Sequence, residues 1–202
     1  MHASVRRAMP IMALGASLSL TSCADLVMTS RQAPGYTGAM VQSFLTSAGT
    51  GGPVLVRVLN NPFGGGPIES MVAEEATQVS RVPSVRFTSR PAEARQPDWH
   101  VVVIFNPVAG ANVREACENA AAVRTVPAPA NTQAIFSFCS GARMIAGVRA
   151  NSGTVASASD PRLRLLVRRA MLDLFGQGDT DDGDGIFLNS FRPIGTGADR
   201  LG

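Results

Sequence analysis

Few side chains in this sequence of 202 residues could carry out catalysis or bind a metal. Of the two histidines, His2 lies near the start, and His100 lies beside an apolar stretch. A nucleophilic hydrolase would have to use His100, because a serine hydroxyl needs a neighbouring base to become reactive. No G-x-S-x-G motif is present to place such a serine. We therefore predict no catalytic residues and no enzymatic activity, with a hydrolase that uses His100 and a nearby serine or carboxylate as the alternative.

Metal sites are not predicted either. After residue 23 the sequence contains one histidine and two cysteines that can pair with each other, which are too few ligands for zinc. The acidic stretch DTDDGDG at residues 179–185 is similar to part of a calcium loop, but such a loop ends on a bidentate glutamate at its twelfth position. That position is Ser190 when counted from Asp179, and Phe191 when counted from Thr180. We predict a solvated, flexible tail over residues 177–202, and no cofactor.

Two apolar stretches end in the same dipeptide, Asn61-Pro62 and Asn106-Pro107. If these stretches are parallel neighbouring strands, their ends meet at one edge of the sheet. Three glycines follow the first dipeptide and precede a predicted helix, whose free amides and dipole can hold an anion. The alternative is that Asn and Pro end the strands and that Gly allows a turn. The predicted candidate ligand edge consists of Asn61, Gly64, Gly65, Gly66 and Asn106.

The first 22 residues have the parts of a secretory signal. Arg6 and Arg7 precede an apolar stretch at residues 10–20, which is too short to span a bilayer. The stretch ends in Leu20-Thr21-Ser22-Cys23, which resembles the lipobox of bacterial lipoproteins. The resemblance implies that residues 1–22 are removed and that Cys23 then carries a diacylglycerol on sulfur and a further acyl chain, such as palmitate, on nitrogen. The alternative is an ordinary signal peptide with a chance cysteine.

The resemblance also implies a location. Several acyl chains together hold a protein stably on a membrane, whereas one holds it only marginally. In such lipoproteins an aspartate after the cysteine favours the inner membrane, and here the residue is Ala24. In a Gram-negative host this implies the outer membrane, on the periplasmic side. An oxidising compartment would allow Cys117 and Cys139 to form a disulfide; the alternative is two buried free thiols.

Composition narrows the classes of partner. The 18 basic residues are all arginine, and 16 of them follow residue 22, against 15 acidic residues. The net charge of the exported part is thus near +1, and no basic run contains interleaved aromatic residues. This pattern excludes an obvious nucleic-acid interface, and no stretch after residue 22 is long and apolar enough to cross a membrane.

Periodicity predicts the elements. Residues 53–59 and 99–106 are apolar on both faces, which is typical of inner strands. Residues 85–88 predict a short strand, residues 111–123 a short helix that bears Cys117, and residues 132–150 a hairpin. A helix from Pro67 has Ile68, Met71, Val72, Ala76 and Val79 inside and Glu69, Glu74 and Glu75 outside.

The last predicted helix begins at Asp160-Pro161 and ends before Gly176. Its apolar face contains Leu163, Leu166, Val167, Ala170, Met171 and Leu174. Leu165 and Leu172 lie on the opposite face, among Arg162, Arg164, Arg168 and Arg169. This second stripe predicts a candidate protein interface, centred on Leu165, Leu172, Arg162 and Arg169. The alternative is an ordinary solvent-exposed face, on which the aliphatic parts of the arginine side chains cover the leucines.

These elements predict an α+β fold with two layers, in which two main amphipathic helices cover a mixed sheet of about four to five strands. The predicted organisation is a lipoprotein signal at 1–22, a lipidated cysteine and tether at 23–52, one domain at 53–176 and the tail at 177–202. Within the tether, residues 38–47 could form one or two helical turns. The element order is similar to that of small envelope lipoprotein domains, such as those related to the TolB amino-terminal domain or the curli-secretion lipoprotein, and implies no function.

The predicted function is that of a non-enzymatic lipoprotein which binds another component of the cell envelope. Its expected partners are the membrane, through Cys23, and an envelope protein, with no nucleic acid. Two alternatives stay open: an envelope hydrolase that uses His100, and a binder of small ligands or anions at the Asn-Pro strand ends.

Overall fold

The computed structural model describes residues 27–33, 35–63, 67–127 and 131–176. The predicted signal, Cys23, the glycines Gly64, Gly65 and Gly66, and the acidic tail with its DTDDGDG stretch therefore lie outside the described residues. No helix among the described residues is long and apolar enough to cross a membrane.

The described part of the chain forms an α+β fold around one mixed sheet of six strands. In chain order the strands are β1 (Met28–Gln32), β2 (Val54–Leu59), β3 (Phe87–Thr88), β4 (Trp99–Phe105), β5 (Thr132–Ser140) and β6 (Arg143–Ser152). Their order across the sheet is β1-β6-β5-β4-β2-β3. Strands β2, β3 and β4 run parallel, whereas β4–β5, β5–β6 and β6–β1 are antiparallel pairs. The class is as predicted, and the sheet is larger than the predicted four to five strands.

Over the residues that the structure describes, the sheet is accompanied by four α-helices: α1 (Gly38–Ala48), α2 (Ile68–Val79), α3 (Glu115–Asn119) and α4 (Pro161–Leu174). The main core lies between one face of the sheet and the helices α1, α2 and α4. Its sheet side includes Val56, Val103 and Phe136, and each predicted apolar residue of α4 is fully buried against it. Asp160 caps α4 by accepting a hydrogen bond from the amide of Arg162 at 3.0 Å. Gly176, which follows the helix, has the left-handed φ of 66° that favours glycine.

The second face of the sheet is covered by residues 108–127, which contain α3. This face buries Val102, Ile104 and Ile135 against Val113. Gly147 allows the close approach, because a β-carbon there would lie 2.9 Å from the β-carbon of Val113. The prediction of two layers is therefore incomplete: a short helix and loop form a partial third layer, since both faces of β4 are apolar and need cover.

The predicted disulfide is present and joins this third layer to the sheet. Cys117 on α3 is bonded to Cys139 on β5, with 5.6 Å between their α-carbons and a sequence separation of 22. Ser137, also on β5, donates a hydrogen bond of 2.7 Å to the carbonyl of Val113. The disulfide and this hydrogen bond hold residues 108–127 on the sheet at Cys117 and at Val113.

Residues 28–52, predicted as part of a tether, belong instead to the folded domain. Strand β1 pairs with β6 over five residues, from Met28 opposite Asn151 to Gln32 opposite Gly147. Helix α1, which the sequence suggested as one or two turns, spans 11 residues and buries Val41 and Leu45 in the main core. The correction has a simple cause: β6 would otherwise leave its main-chain groups unpaired, and β1 satisfies them.

Candidate functional site

The predicted meeting of the two Asn-Pro turns is confirmed. Strands β2 and β4 are parallel neighbours with Leu59 opposite Ile104, so both strands end at one edge of the sheet, which we call the carboxyl edge. Asn60 and Asn106 have left-handed φ values of 55° and 50°, a conformation that asparagine tolerates better than most residues. The side-chain amide of Asn60 donates a hydrogen bond of 2.9 Å to the carbonyl of Phe105, which ties the two strand ends together.

The asparagine oxygens at the carboxyl edge accept hydrogen bonds from nearby amides. Asn61 accepts one of 3.0 Å from the amide of Phe63, and Asn106 one of 3.3 Å from the amide of Gln133. Asn106 is buried, and its own carbonyl accepts a hydrogen bond of 2.8 Å from Val126. In the described structure these side chains shape the turns. An anion held by Gly64, Gly65 and Gly66 stays a prediction, since those residues lie outside the description.

A cavity of about 360 Å³ lies at the same edge, between the amino-terminal ends of α2 and α4. Apolar side chains dominate its lining, with two serines and one arginine; the lining residues are Phe63, Pro67, Ile68, Met71, Ser157, Ala158, Ser159 and Arg164. Carboxyl ends of parallel strands are a common place for ligands in sheets of this kind. The chemistry of the lining suits an apolar molecule with one anionic group.

Arg164 is held in place by a carboxylate that sequence reasoning placed on the wrong side of its helix. Glu75 on α2 was predicted to lie outside, yet it is only 2% exposed. It accepts a hydrogen bond of 2.8 Å from Arg164 and hydrogen bonds of 2.9 and 3.2 Å from Arg168. Burial raises the pKa of Glu75. The hydrogen bonds and charges of the two arginines lower it by more than burial raises it, so the pKa lies below its usual value. Glu75 is therefore ionised and links α2 to α4.

His100 lies at the far end of β4 from the carboxyl edge and is buried. Its Nδ1 donates a hydrogen bond of 3.0 Å to the main-chain carbonyl of Asp98. Burial is the largest influence on the pKa of His100 and lowers it below its usual value, so the ring is neutral at pH 7. Its cross-strand neighbours are Leu55 on β2 and Cys139 on β5. In the described structure this arrangement fixes the ring through main-chain contacts, and it does not bring a serine hydroxyl to the histidine.

The predicted second stripe of α4 is only partly exposed. Leu165 is 38% exposed, and Leu172 is half-buried. Arg162 forms an ion pair of 2.8 Å with Asp160, and Arg164 and Arg168 bind Glu75. Arg169 is exposed. The accessible part of the stripe is therefore centred on Leu165 and Arg169, since the other three arginines stabilise the helix and its contact with α2.

Within residues 27–33, 35–63, 67–127 and 131–176, no three His, Cys, Asp or Glu side chains come together in a way that could hold a metal. The candidate site is thus the carboxyl edge with its cavity, which can bind through apolar contact and one guanidinium group. Nothing on α2 itself indicates the burial of Glu75, because a charged residue beside an apolar helix face ordinarily lies in solvent. The signal for it was the spacing of Arg164 and Arg168, which lie one helical turn apart on the partner helix.

Comparison with known proteins yields weak similarities. No family model and no curated protein matches the chain. A variant of PelC from Paraburkholderia phytofirmans, solved as a dodecamer, has 9% sequence identity and a TM-score of 0.41 over 75% of this chain and 98% of the PelC chain. A second PelC dodecamer from the same organism has 9% identity and a TM-score of 0.35 over 75% and 96% of the two chains. At such values neither a family nor a function is transferred to this chain.

Proposed function

We propose that the protein is a lipid-anchored, periplasm-facing component of the cell envelope that binds another molecule and catalyses no reaction. The observation that carries this proposal is the Leu20-Thr21-Ser22-Cys23 sequence at the end of a secretory signal. The proposed site of attachment is the outer membrane, because Ala24 follows the cysteine.

Two features of the folded domain are consistent with export. The Cys117–Cys139 bond is of a kind that persists mainly in oxidising compartments such as the periplasm. The domain is also closely preceded by the proposed anchor, since β1 begins at Met28, five residues after Cys23. A protein built in this way works at the membrane surface and not at a distance from it.

The anchor is tested by the intact mass of the protein extracted from host membranes. We expect a chain that starts at Cys23 and carries acyl chains, and a Cys23→Ser variant that appears in the soluble periplasmic fraction. Cys117→Ser is the matched control, because it removes another cysteine and should leave the protein on the membrane. An unlipidated chain that starts at another residue contradicts the proposal.

Binding of an envelope protein is tested on the exposed part of α4. Leu165→Gln should change the free energy of unfolding, measured with urea, by about 0.5 kcal/mol or less, because Leu165 is 38% exposed. Partners captured from outer membranes by cross-linking should be lost in this variant. Leu172→Gln is the comparison on the same stripe, and its larger effect on stability reports its partial burial. Unchanged capture with both variants removes α4 from consideration.

The cavity at the carboxyl edge favours a second candidate function, the binding of a small amphiphile with an anionic head. Dodecanoate is a suitable probe, because it has an apolar chain and an anionic head. If it binds only the folded state, it raises the melting temperature of the protein. Arg164→Gln should abolish the shift, since Arg164 lines the cavity. Arg168→Gln is the matched control, because Arg168 binds the same Glu75 but does not line the cavity. Equal shifts in the two variants contradict this candidate.

A further inference from the structure

We propose that the carboxyl edge is the surface of the domain that lies against the lipid bilayer. This inference rests on the proposed lipidation of Cys23 and adds an orientation to it. The partner is the phospholipid surface that receives the acyl chains of Cys23, and the argument depends on where the chain leaves the domain and how far it can reach.

The chain enters the domain at the carboxyl edge. Met28 is paired with Asn151, and Asn151 is paired with Gln133. The carbonyl of Gln133 accepts a hydrogen bond of 2.8 Å from the amide of Asn106. Met28 therefore shares one row of the sheet with Asn106, the residue that ends β4 at the carboxyl edge.

The distance from the anchor to this row is short. Met28 follows Cys23 by five positions, and five steps of chain span at most about 18 Å when fully extended. The opposite end of the sheet is farther away, because β6 begins at Arg143, eight residues before Asn151, and eight residues of strand measure about 27 Å. When the strands stand upright, the end where Trp99 and Phe44 of α1 stack therefore cannot be the one that touches the bilayer that holds Cys23.

The surface at the carboxyl edge is suited to the bilayer interface. Of four large apolar side chains that are exposed in the described residues, two lie at this edge: Met28 at 55% and Val126 at 37%. The amide of Val126 binds the carbonyl of Asn106, which holds Val126 at the rim of the sheet. Such side chains enter the headgroup region at little cost when the backbone already lies there, because burial of apolar surface is favourable.

Tryptophan fluorescence tests the orientation in the lipidated full-length protein. The protein is reconstituted in phosphatidylethanolamine–phosphatidylglycerol vesicles that contain a brominated phosphatidylcholine, which quenches nearby indole rings. Trp99 is the single native tryptophan and lies at the far end of the sheet, so its emission should be unaffected. Val126→Trp adds an indole at the carboxyl edge, and we expect most of the added emission to be lost. Met28→Trp serves as a second reporter at the same edge.

Met40→Trp is the matched control for these variants. Met40 is 42% exposed, a fraction similar to that of Val126. It lies in the first turn of α1, the helix whose Phe44 stacks on Trp99 at the opposite end of the sheet. Its added emission should persist. Quenching of Met40→Trp, or unquenched emission from both edge reporters in a protein that carries lipid and floats with the vesicles, overturns the orientation and leaves the proposed function intact. A protein without lipid that does not float overturns both.

Discussion

The carboxylate of Glu75 on α2 lies 2.8 Å from the guanidinium of Arg164 on α4, and the carboxylate is almost completely buried. The pair connects the two helices that cover most of the main core. Both arginines that bind Glu75 keep about half of their surface in water, so their charges stay solvated while the carboxylate receives three hydrogen bonds. This arrangement avoids the large desolvation cost of a fully buried ion pair.

Glu75→Gln should lower the free energy of unfolding by about 1–3 kcal/mol, because the amide cannot satisfy both guanidinium groups. Urea denaturation at pH 7 measures the change. Glu74→Gln is the matched control: Glu74 is exposed on the same helix, and its replacement should change stability by about 0.5 kcal/mol or less. Equal effects from the two variants would show that the link between α2 and α4 contributes nothing.

Asp160 should make the free energy of unfolding depend on pH in the acid range. Hydrogen bonds from Arg162 are the largest influence and lower the pKa of Asp160 from 3.8 to about 2. Because the folded-state pKa is depressed, the contribution is complete above the unfolded value and is lost as pH falls from about 4 to about 2. The lowered pKa of Asp160 corresponds to a contribution of about 2 kcal/mol to the free energy of unfolding.

Asp160→Asn keeps a capping oxygen but removes the charge. The variant should be less stable than wild type at pH 7, and the difference in melting temperature should shrink at pH 2. A difference that is constant across this range would mean that the ion pair with Arg162 does not contribute.

The disulfide should stabilise the domain by about 3 kcal/mol, because it closes a loop of modest length in the unfolded chain. Reductant should lower the urea midpoint of the protein and leave that of a Cys117→Ala, Cys139→Ala double variant unchanged. The thiol count before reduction is a control for the oxidised state. A midpoint that reductant does not move contradicts this prediction.

His100 should add a second, separate pH dependence. Its folded-state pKa is depressed below 6.5, so the unfolded state binds the proton more readily and stability falls as pH decreases below that value. His100→Gln should remove most of this slope between pH 7 and pH 5, a range that lies above the ordinary pKa values of the Asp160 and Glu75 carboxyls. Melting curves measured at several pH values between 7 and 5 give this slope.

If His100→Gln instead keeps the fold and abolishes a hydrolytic activity of the wild type, the enzyme alternative is favoured.

The central elements could be predicted from the sequence. Strands β2 and β4 were recognisable because both of their faces are apolar, and α4 because its apolar spacing and its Asp160 cap agree. The hairpin was also found: β5 ends at Ser140, and Gly141 adopts a φ of 58° in the turn before β6. In these cases local pattern and burial point to the same element.

The edge of the sheet could not be predicted in this way. Strand β1 reads MTSRQ and has no buried residue, so nothing in its pattern distinguishes it from a linker. It is a strand only because β6 offers it hydrogen-bond partners, and those partners lie more than a hundred residues away in sequence. The burial of Glu75 was missed for a related reason, since its arginine partners are on another helix.

The pairing of β1 with β6 has a mechanical consequence for an anchored protein. In the proposed orientation the strands stand upright on the membrane, and a pull on Cys23 acts along the axis of β1. The hydrogen bonds of an antiparallel pair lie across that axis, so all five residue pairs bear the load together. A force that lifts the domain from the bilayer therefore shears the strand, whereas a sideways force would open the pairs one after another from Met28.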